Sequence, residues 1–377
     1  MNPQYLFYFC EDTPTQIDKQ HLNVTDLKYI QEKNISFFYL FDLVFNIEKQ
    51  EVGYYDDIIL SNEILELLNK NRCTLIMNIS YECTGLKDNY FVNFIKKFID
   101  RYNLNFKNLK VLTGNLIHPK YAESLNCEFI PYIFFFDNLP FYNRDNPKPT
   151  YNDTNKINKK ILCYNRVPRS HRKYLFYMIY QNKIIYDNIS ISLNNDCKWF
   201  NYQSEFDIDA NLNKTINNFF NVVYPQKWTI DNHTLSNDLS MNLEINDIRN
   251  HFLYLVTESD NRENILFITE KTFKPIFTKR PFIILGNPYT LKKLNEIGFK
   301  TFNKWWPEDY DIELNLTKRT DIILSLLDMI SKKSLEELNG MLNDMNEVLN
   351  HNFNLLTKKH RPQFLNNLNF NYTKKIF

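Results

Sequence analysis

A chain of 377 residues is too long for one ordinary hydrophobic core and fits two domains, and its 44% hydrophobic and 16% aromatic content can fill both. Forty-five basic against 44 acidic residues leave a formal charge of +1, which excludes a global field drawing the protein to nucleic acid or anionic lipid. Any anion must therefore be held by a local cluster of side chains.

The six cysteines are scattered, with no C-x-x-C pair and no histidine at metal-ligand spacing. That argues against a zinc site or a disulfide framework and fits reduced thiols in a cytoplasmic protein. The start, Met-Asn-Pro-Gln-Tyr-Leu-Phe-Tyr-Phe-Cys-Glu-Asp, lacks the basic region of a signal peptide. No run reaches the roughly 18 apolar residues of a membrane span. Six glycines among abundant Asn, Lys, Ile, Phe and Tyr point to an AT-rich genome, such as that of a virus, phage or symbiont.

Along the first part, β-prone runs at Tyr5 to Cys10, Ile35 to Phe41, Thr74 to Ile79, Leu109 to Thr113 and Phe129 to Phe136 alternate with amphipathic segments at Ile58 to Asn69 and Tyr90 to Tyr102. The alternation predicts an α/β domain. The stretch from Asn143 to Lys160, with Pro147, Pro149 and many Asn and Lys, has linker composition. We place the boundary there, giving domains 1–150 and 151–377. A second series of strands follows at Ile161 to Tyr164, Ile189 to Leu193, Phe252 to Val256 and Phe282 to Leu285. From Thr317 to Lys359 the pattern is helical, with Ile322, Ile323, Leu326, Leu327 and Ile330 on one stripe and Leu335, Leu338, Leu342 and Met345 beyond. This tail is expected to pack back across the first domain.

The most informative segment is Asn264 to Gly286. Thr269 is a good N-cap, its hydroxyl able to accept from an orphan amide of the following turn, which places Glu270 and Lys271 in that turn. Pro275 lacks an amide donor and should kink or shorten the helix. Phe282-Ile283-Ile284-Leu285 suits a strand buried on both faces of a parallel sheet. Asn287-Pro288 reads as N-cap and first residue of a further helix that closes at Gly298.

Two other clusters bear chemistry. Asn165-Arg166-Val167-Pro168-Arg169-Ser170-His171-Arg172 follows the first strand of the second domain and leads into a helix over Lys173 to Tyr180. Guanidinium forks beside a helix start match phosphate oxygens, and a solvated basic loop is the plainer alternative. Thr257-Glu258-Ser259-Asp260 ends a strand twelve residues before Glu270. One of the two glutamates can hold ribose hydroxyls while the other orients a base or the sugar. Lys271 can offset charge on a departing diphosphate. For Glu258 alone, a loop or capping acid is the alternative.

Glu258-Ser259, then Phe267-Ile268-Thr269-Glu270-Lys271-Thr272-Phe273, then Pro281-Phe282-Ile283-Ile284-Leu285-Gly286, resembles the donor-site signature of the α1,3-fucosyltransferases. There an E-N-S step precedes Y-(I/V)-T-E-K-(L/F) and a small-residue turn leads into P-V-V-x-G. Here the intervening Asn is missing and Lys279-Arg280 replaces the small turn. The chain is also similar to virus- and phage-encoded glycosyltransferases in which L-N-R-x-x-R-x-H-R corresponds to Tyr164 to Arg172, and G-F-K-T-F with W-x-E-x-Y-D to Gly298 to Asp311. The resemblance covers the second half. It implies a GT-B architecture, two Rossmann-like doubly wound domains facing a cleft, with inverting transfer from a nucleotide-sugar, a GDP-sugar such as GDP-fucose favoured, to a glycan or other hydroxyl acceptor. It carries donor binding onto Glu270 and Lys271, onto Arg166 or Arg169, and onto Glu258.

Inverting transfer needs a base for the acceptor hydroxyl. Glu82, in the loop Ser80-Tyr81-Glu82-Cys83-Thr84-Gly85 after a strand, is the candidate, with Asp12, Asp42 and His118 similarly placed after other strands. Glu308, Asp309 and Asp311, around Trp305 and Trp306, can line a sugar pocket or anchor the helical tail. The Asp-x-Asp triplets at 207–209 and 309–311 are unremarkable among 44 acids, so neither metal nor other cofactor is expected. No G-x-S-x-G, P-loop or H-E-x-x-H pattern occurs. The alternatives to a transferase of this kind are a catalytically inactive glycan- or nucleotide-binding protein and a glucosyltransferase acting on nucleic-acid bases; the neutral charge counts against the latter.

Overall fold

A computed structural model of the chain describes residues 6–9, 23–24, 26–33, 36–42, 60–80, 88–105, 108–117, 125, 127–139, 156–165, 168–193, 210–223, 243 and 245–358. The chain divides into two compact units, Met1–Asn138 with Lys359–Phe377, and Leu139–Lys358. The expected boundary at 150 lies among residues 140–155, outside those described.

In the first unit β1 (Leu6–Phe9), β2 (Asn23–Val24), β3 (Phe37–Asp42), β4 (Cys73–Ile79), β5 (Leu109–Thr113) and β6 (Glu128–Pro131) form one parallel sheet in the order β2-β1-β3-β4-β5-β6. β4 is buried along its whole length, as a central parallel strand covered on both faces must be. Period-two alternation sends Phe37, Tyr39, Leu75, Met77, Leu109 and Val111 into one core with Ile30 of α1 (Leu27–Lys33), Ile64 and Leu68 of α2 (Asn62–Asn69) and Ile95, Phe98 and Ile99 of α3 (Asp88–Tyr102). The α2 helix starts later than its apolar spacing suggests because Ser61 caps it, accepting from the Ile64 amide at 3.3 Å. The last expected strand, Phe129 to Phe136, stops at Pro131, and its aromatic end coils into the short α4 (Phe134–Asp137). Proline ends the ladder because it has no amide to donate.

The second unit holds β7 (Lys159–Cys163), β8 (Ile189–Ile191), β9 (His251–Thr257) and β10 (Phe282–Leu285), all parallel, in the order β10-β9-β7-β8. Two α/β units with parallel sheets and a helical C-terminal part are the class the sequence predicts. The connection from β7 to β8 carries α5 (Ser170–Gln181) and α6 (Lys183–Tyr186), and that from β9 to β10 carries α9 (Glu270–Phe277). Between β8 and β9 come α7 (Ala210–Asn218), a π-helical turn Phe219–Val223 and α8 (Ile245–Asn250). The crossovers at β7 and β9 move in opposite directions along the sheet, so right-handed connection places α5 and α9 on opposite faces.

After β10 come α10 (Thr290–Glu296), α11 (Leu316–Ser331), α12 (Leu335–Asp344) and α13 (Asn346–Thr357). These helices pack within the second unit. α11 lies on β7, β10, α5 and α6, and α13 on α9, with Phe277 and Phe353 rings 5.8 Å apart. The α10 start also differs from expectation. Asn287 is not its cap; the helix begins at Thr290 after Tyr289 in a left-handed conformation, and the Asp311 carboxylate accepts from the Leu291 and Lys292 amides at 2.7 and 3.0 Å. Its end is as expected, with Gly298 at φ 99° and the Phe299 amide donating back to the Leu294 carbonyl at 2.9 Å.

Arg319 of α11 is 1% exposed, yet its guanidinium donates only to carbonyls: Gly286 beyond β10, Glu313 at 2.9 Å, Leu314 at 3.0 Å and Asn261 at 3.4 Å. Replacing it by leucine strips several buried acceptors at once, for an expected loss of about 3 kcal/mol or more in urea unfolding. Lys318→Ala on the exposed side of the same turn should stay within about 0.5 kcal/mol of the parent.

Candidate functional site

Because β7 sends its chain one way and β9 the other, a crevice opens at the carboxyl ends of these neighbouring strands, the place where open α/β sheets receive ligands. Its floor is polar and closed on itself. Asn165, just past β7, is buried; its amide donates to Ser192 Oγ at 3.1 Å, its Nδ2 to Cys163 Sγ at 3.1 Å, and its Oδ1 accepts from the Thr257 hydroxyl at the end of β9. Burial pushes the Cys163 thiol up to about 12, so it is no nucleophile at neutral pH.

The α5 helix begins earlier than its apolar spacing suggests, at Ser170 with Arg169 as N-cap residue, and so carries His171 and Arg172 in its first turn. Both are buried and both point at β9. His171 Nε2 donates to the Glu258 carbonyl at 2.9 Å, and Arg172 Nη2 donates to the Thr257 and Glu258 carbonyls at 2.9 and 3.0 Å. These side chains fasten a helix start to a strand end. Burial and then the neighbouring Arg172 depress His171 to about 3, and burial with Arg169 nearby lowers Arg172 to about 9.

Glu258 is 0% exposed, and its carboxylate is filled by the protein's own donors. Oε1 accepts from the Thr269 amide at 3.1 Å and the Thr272 hydroxyl at 2.6 Å; Oε2 accepts from the Thr269 hydroxyl at 2.6 Å and the Ser259 amide at 3.2 Å. A carboxylate so placed ties the end of β9 to the start of α9. Ribose hydroxyls find no vacant oxygen on it. The expectation that Glu258 binds the donor directly therefore gives way to a bracketing role, the capping alternative taken to full burial.

Thr269 caps α9 as expected, its hydroxyl accepting from the Lys271 amide at 3.3 Å. Pro275 lies in the last turn of a helix only eight residues long. Lys271 Nζ reaches Glu270 Oε1 at 2.7 Å, Ser259 Oγ at 3.2 Å and Thr269 Oγ1 at 3.3 Å, and keeps about a quarter of its side chain exposed. Burial pushes the Glu270 carboxyl up, but the ammonium of Lys271, with Lys274 behind it, outweighs this and holds it below the usual range. Of the expected site residues, Glu258, Glu270 and Lys271 thus share one hydrogen-bonded cluster, joined through Glu258 to the helix that Arg169 opens. Arg166 and Glu82 lie outside the described residues, as do Asp12 and His118; Asp42 ends β3.

The loop from β9 to α9 is stiffened separately. Arg262 Nε and Nη2 donate to Asp260 Oδ2 at 2.9 and 2.6 Å, and Asn287 Nδ2 donates to Asp260 Oδ1 at 3.0 Å while its Oδ1 accepts from the Phe267 amide at 3.0 Å. Glu308, Asp309 and Asp311 do not gather into a pocket. Asp311 caps α10, Glu308 accepts from the Phe302 amide at 2.7 Å, Asp309 is exposed, and Trp305 Nε1 donates to Asp344 of α12 at 2.7 Å. They serve the anchoring alternative. His171 and Arg172 belong to the basic run read as matching phosphate, and Thr272 was not expected in the site. Only the Thr-x-x-Thr spacing across the start of α9 hints at it.

Among the described residues no group of three His, Cys, Asp or Glu side chains is placed to hold a metal ion, and no helix is long and apolar enough to cross a membrane. No family model matches the chain, and no curated protein matches it. Among solved structures, it is similar to a Listeria monocytogenes protein described as a UDP-N-acetylglucosamine 2-epimerase, with 10% identity, 89% of this chain and 78% of that one covered, and a TM-score of 0.33. It is also similar to a trehalose-6-phosphate synthase, with 10% identity, 93% and 97% covered, and a TM-score of 0.40. The α/β class of each unit follows from its own strand order, independently of these distant likenesses.

The buried histidines make stability depend on pH. His171 at about 3 and His251 at about 4 stay neutral in the fold but bind a proton below about 6.5 once unfolded. The unfolding free energy therefore falls as pH drops below about 6.5, by up to about 1.4 kcal/mol per pH unit for each group, and the loss levels off below the folded values. His171→Gln keeps a donor for the Glu258 carbonyl and removes one titration, so urea unfolding at pH 7.5 and pH 5 should show a correspondingly smaller drop.

Proposed function

We propose that the second unit binds the nucleotide part of a nucleotide-sugar and that the chain is a glycosyltransferase of GT-B type. What supports this reading is the switch point at the carboxyl ends of β7 and β9, with Arg169 as the N-cap residue of α5 after β7 and Glu270 and Lys271 opening α9 after β9. Arg166 stands in the same connection as Arg169 and joins it in the proposal. Backbone amides at helix starts and fixed cations suit a diphosphate. The Thr269-Glu270-Lys271 step, in the setting that resembles the α1,3-fucosyltransferase signature, favours a GDP-sugar such as GDP-fucose. The acceptor is a glycan or another hydroxyl-bearing molecule, and no metal is required.

In the inverting reaction the acceptor oxygen bonds to the anomeric carbon as the bond from that carbon to the diphosphate oxygen breaks. The acceptor proton passes to a carboxylate, for which Glu82, three residues beyond β4, is the candidate. Negative charge grows on the leaving diphosphate, and Lys271 is placed to offset it.

A panel of GDP-, UDP- and dTDP-sugars should raise the thermal midpoint selectively for one nucleotide, with the rise lost in Lys271→Ala. No response to any nucleotide would remove the donor-site reading. In a sugar-release assay on the preferred donor, Glu82→Gln should cut turnover by about 100-fold or more, and unchanged turnover would remove Glu82 as the base while leaving the donor site standing.

A further inference from the structure

We infer that Glu258 is a positioning residue that sets the gap between the two cationic arms of the crevice, and so makes the site a diphosphate site in preference to a monophosphate one. The inference rests on the donor-site reading above. Its basis is that one residue receives both helix starts. Through its main-chain carbonyl Glu258 takes His171 Nε2 at 2.9 Å and Arg172 Nη2 at 3.0 Å, which fixes the first turn of α5 behind Arg169. Through its carboxylate it takes the Thr269 amide and hydroxyl and the Thr272 hydroxyl, which fixes the first turn of α9 and with it Lys271.

The orientation extends to the ammonium itself. Because the Thr269 hydroxyl gives its proton to Glu258, only its lone pairs face Lys271, and they accept from Lys271 Nζ at 3.3 Å. Gly286 completes the bracket. A Cβ there would stand 3.1 Å from both Cβ and Cγ of Glu258, so the absence of a side chain at the end of β10 lets the glutamate lie flat beneath the helix start. With the arms at fixed separation, a diphosphate can engage both, whereas a monophosphate engages one. A change in their separation is therefore felt by the first ligand and hardly by the second.

Thr272 gives a clean probe, since it is fully buried and its hydroxyl donates to Glu258. Thr272→Val keeps the shape and removes one donor; Thr272→Ser keeps the donor. Binding of GDP and GMP, UDP and UMP, and dTDP and dTMP would be measured by calorimetry on the intact chain. The expected result is a roughly tenfold weaker diphosphate in Thr272→Val, monophosphate affinity within about twofold of the parent, and near-parent behaviour in Thr272→Ser. His171→Leu, which loosens the α5 side while Arg172 stays, should shift the ratio in the same direction and serves if Thr272→Val does not fold. A diphosphate-to-monophosphate ratio that stays constant overturns the inference, even if the variants melt earlier, because a purely structural role changes stability and leaves the ratio alone. Failure of the parent chain to bind any of the six nucleotides overturns the donor-site reading itself.

Discussion

Burying a carboxylate without partners costs several kcal/mol, and Glu258 is buried completely. The ends of β9 and α9 are arranged around meeting that cost. Four donors from Ser259, Thr269 and Thr272 converge on two oxygens, and each of those donors belongs to the chain that must be held still if Lys271 is to have a defined position. The charge that is hard to bury is thus the reason the helix start is rigid. A neutral apolar residue at 258 would pack more cheaply and would leave the Thr269 amide and the two threonine hydroxyls without acceptors.

The same logic of buried charge against backbone recurs at three arginines. Arg172 grips the carbonyls at the carboxyl end of β9, Arg280 those of Arg249 and His251 at its amino end, and Arg319 the Gly286 carbonyl past β10. A strand of seven residues in a four-stranded sheet has few neighbours to define where it stops, and guanidinium forks supply the missing partners. Desolvation lowers all three, to between about 9 and 10, still far above neutral pH, so they remain cations whose field is spent on carbonyl dipoles.

Much of this fold could be read from local pattern. β5 and β10 run over the residues their apolar stretches mark out, and Thr269 and Gly298 stand at the helix ends that their chemistry favours, because buried strands, N-caps and left-handed closures depend on a few adjacent residues. What escaped depends on distant partners. The amides opening α10 are capped by Asp311, twenty residues further on, so Asn287-Pro288 gave a false local signal while Asn287 was engaged with Asp260 and Phe267. Pro131 has no amide to give a ladder, yet the strand expected over Phe129 to Phe136 ran through it, because the aromatic run around it reads as strand until the helical turn is seen. At the site, the residue types of the Thr-Glu-Lys step were legible and their division of labour was not. Nothing in spacing distinguishes a glutamate that meets solvent from one that is sealed by threonines, and Arg172 looked like a phosphate ligand until β9 was found in front of it.

Arg319 ties together segments that are far apart in the chain: α11, the turn before it, the residue that closes β10 and, more loosely, the loop after β9. Local opening of the crevice rim would have to break that stitch, and breaking it uncovers the underside of α11 as well. The rim and the C-terminal helical layer therefore belong to one cooperative folding unit, opening together or not at all. Amide protons of the two regions should then exchange with solvent at a common rate, although some sixty residues separate Asn261 from Arg319 in the chain.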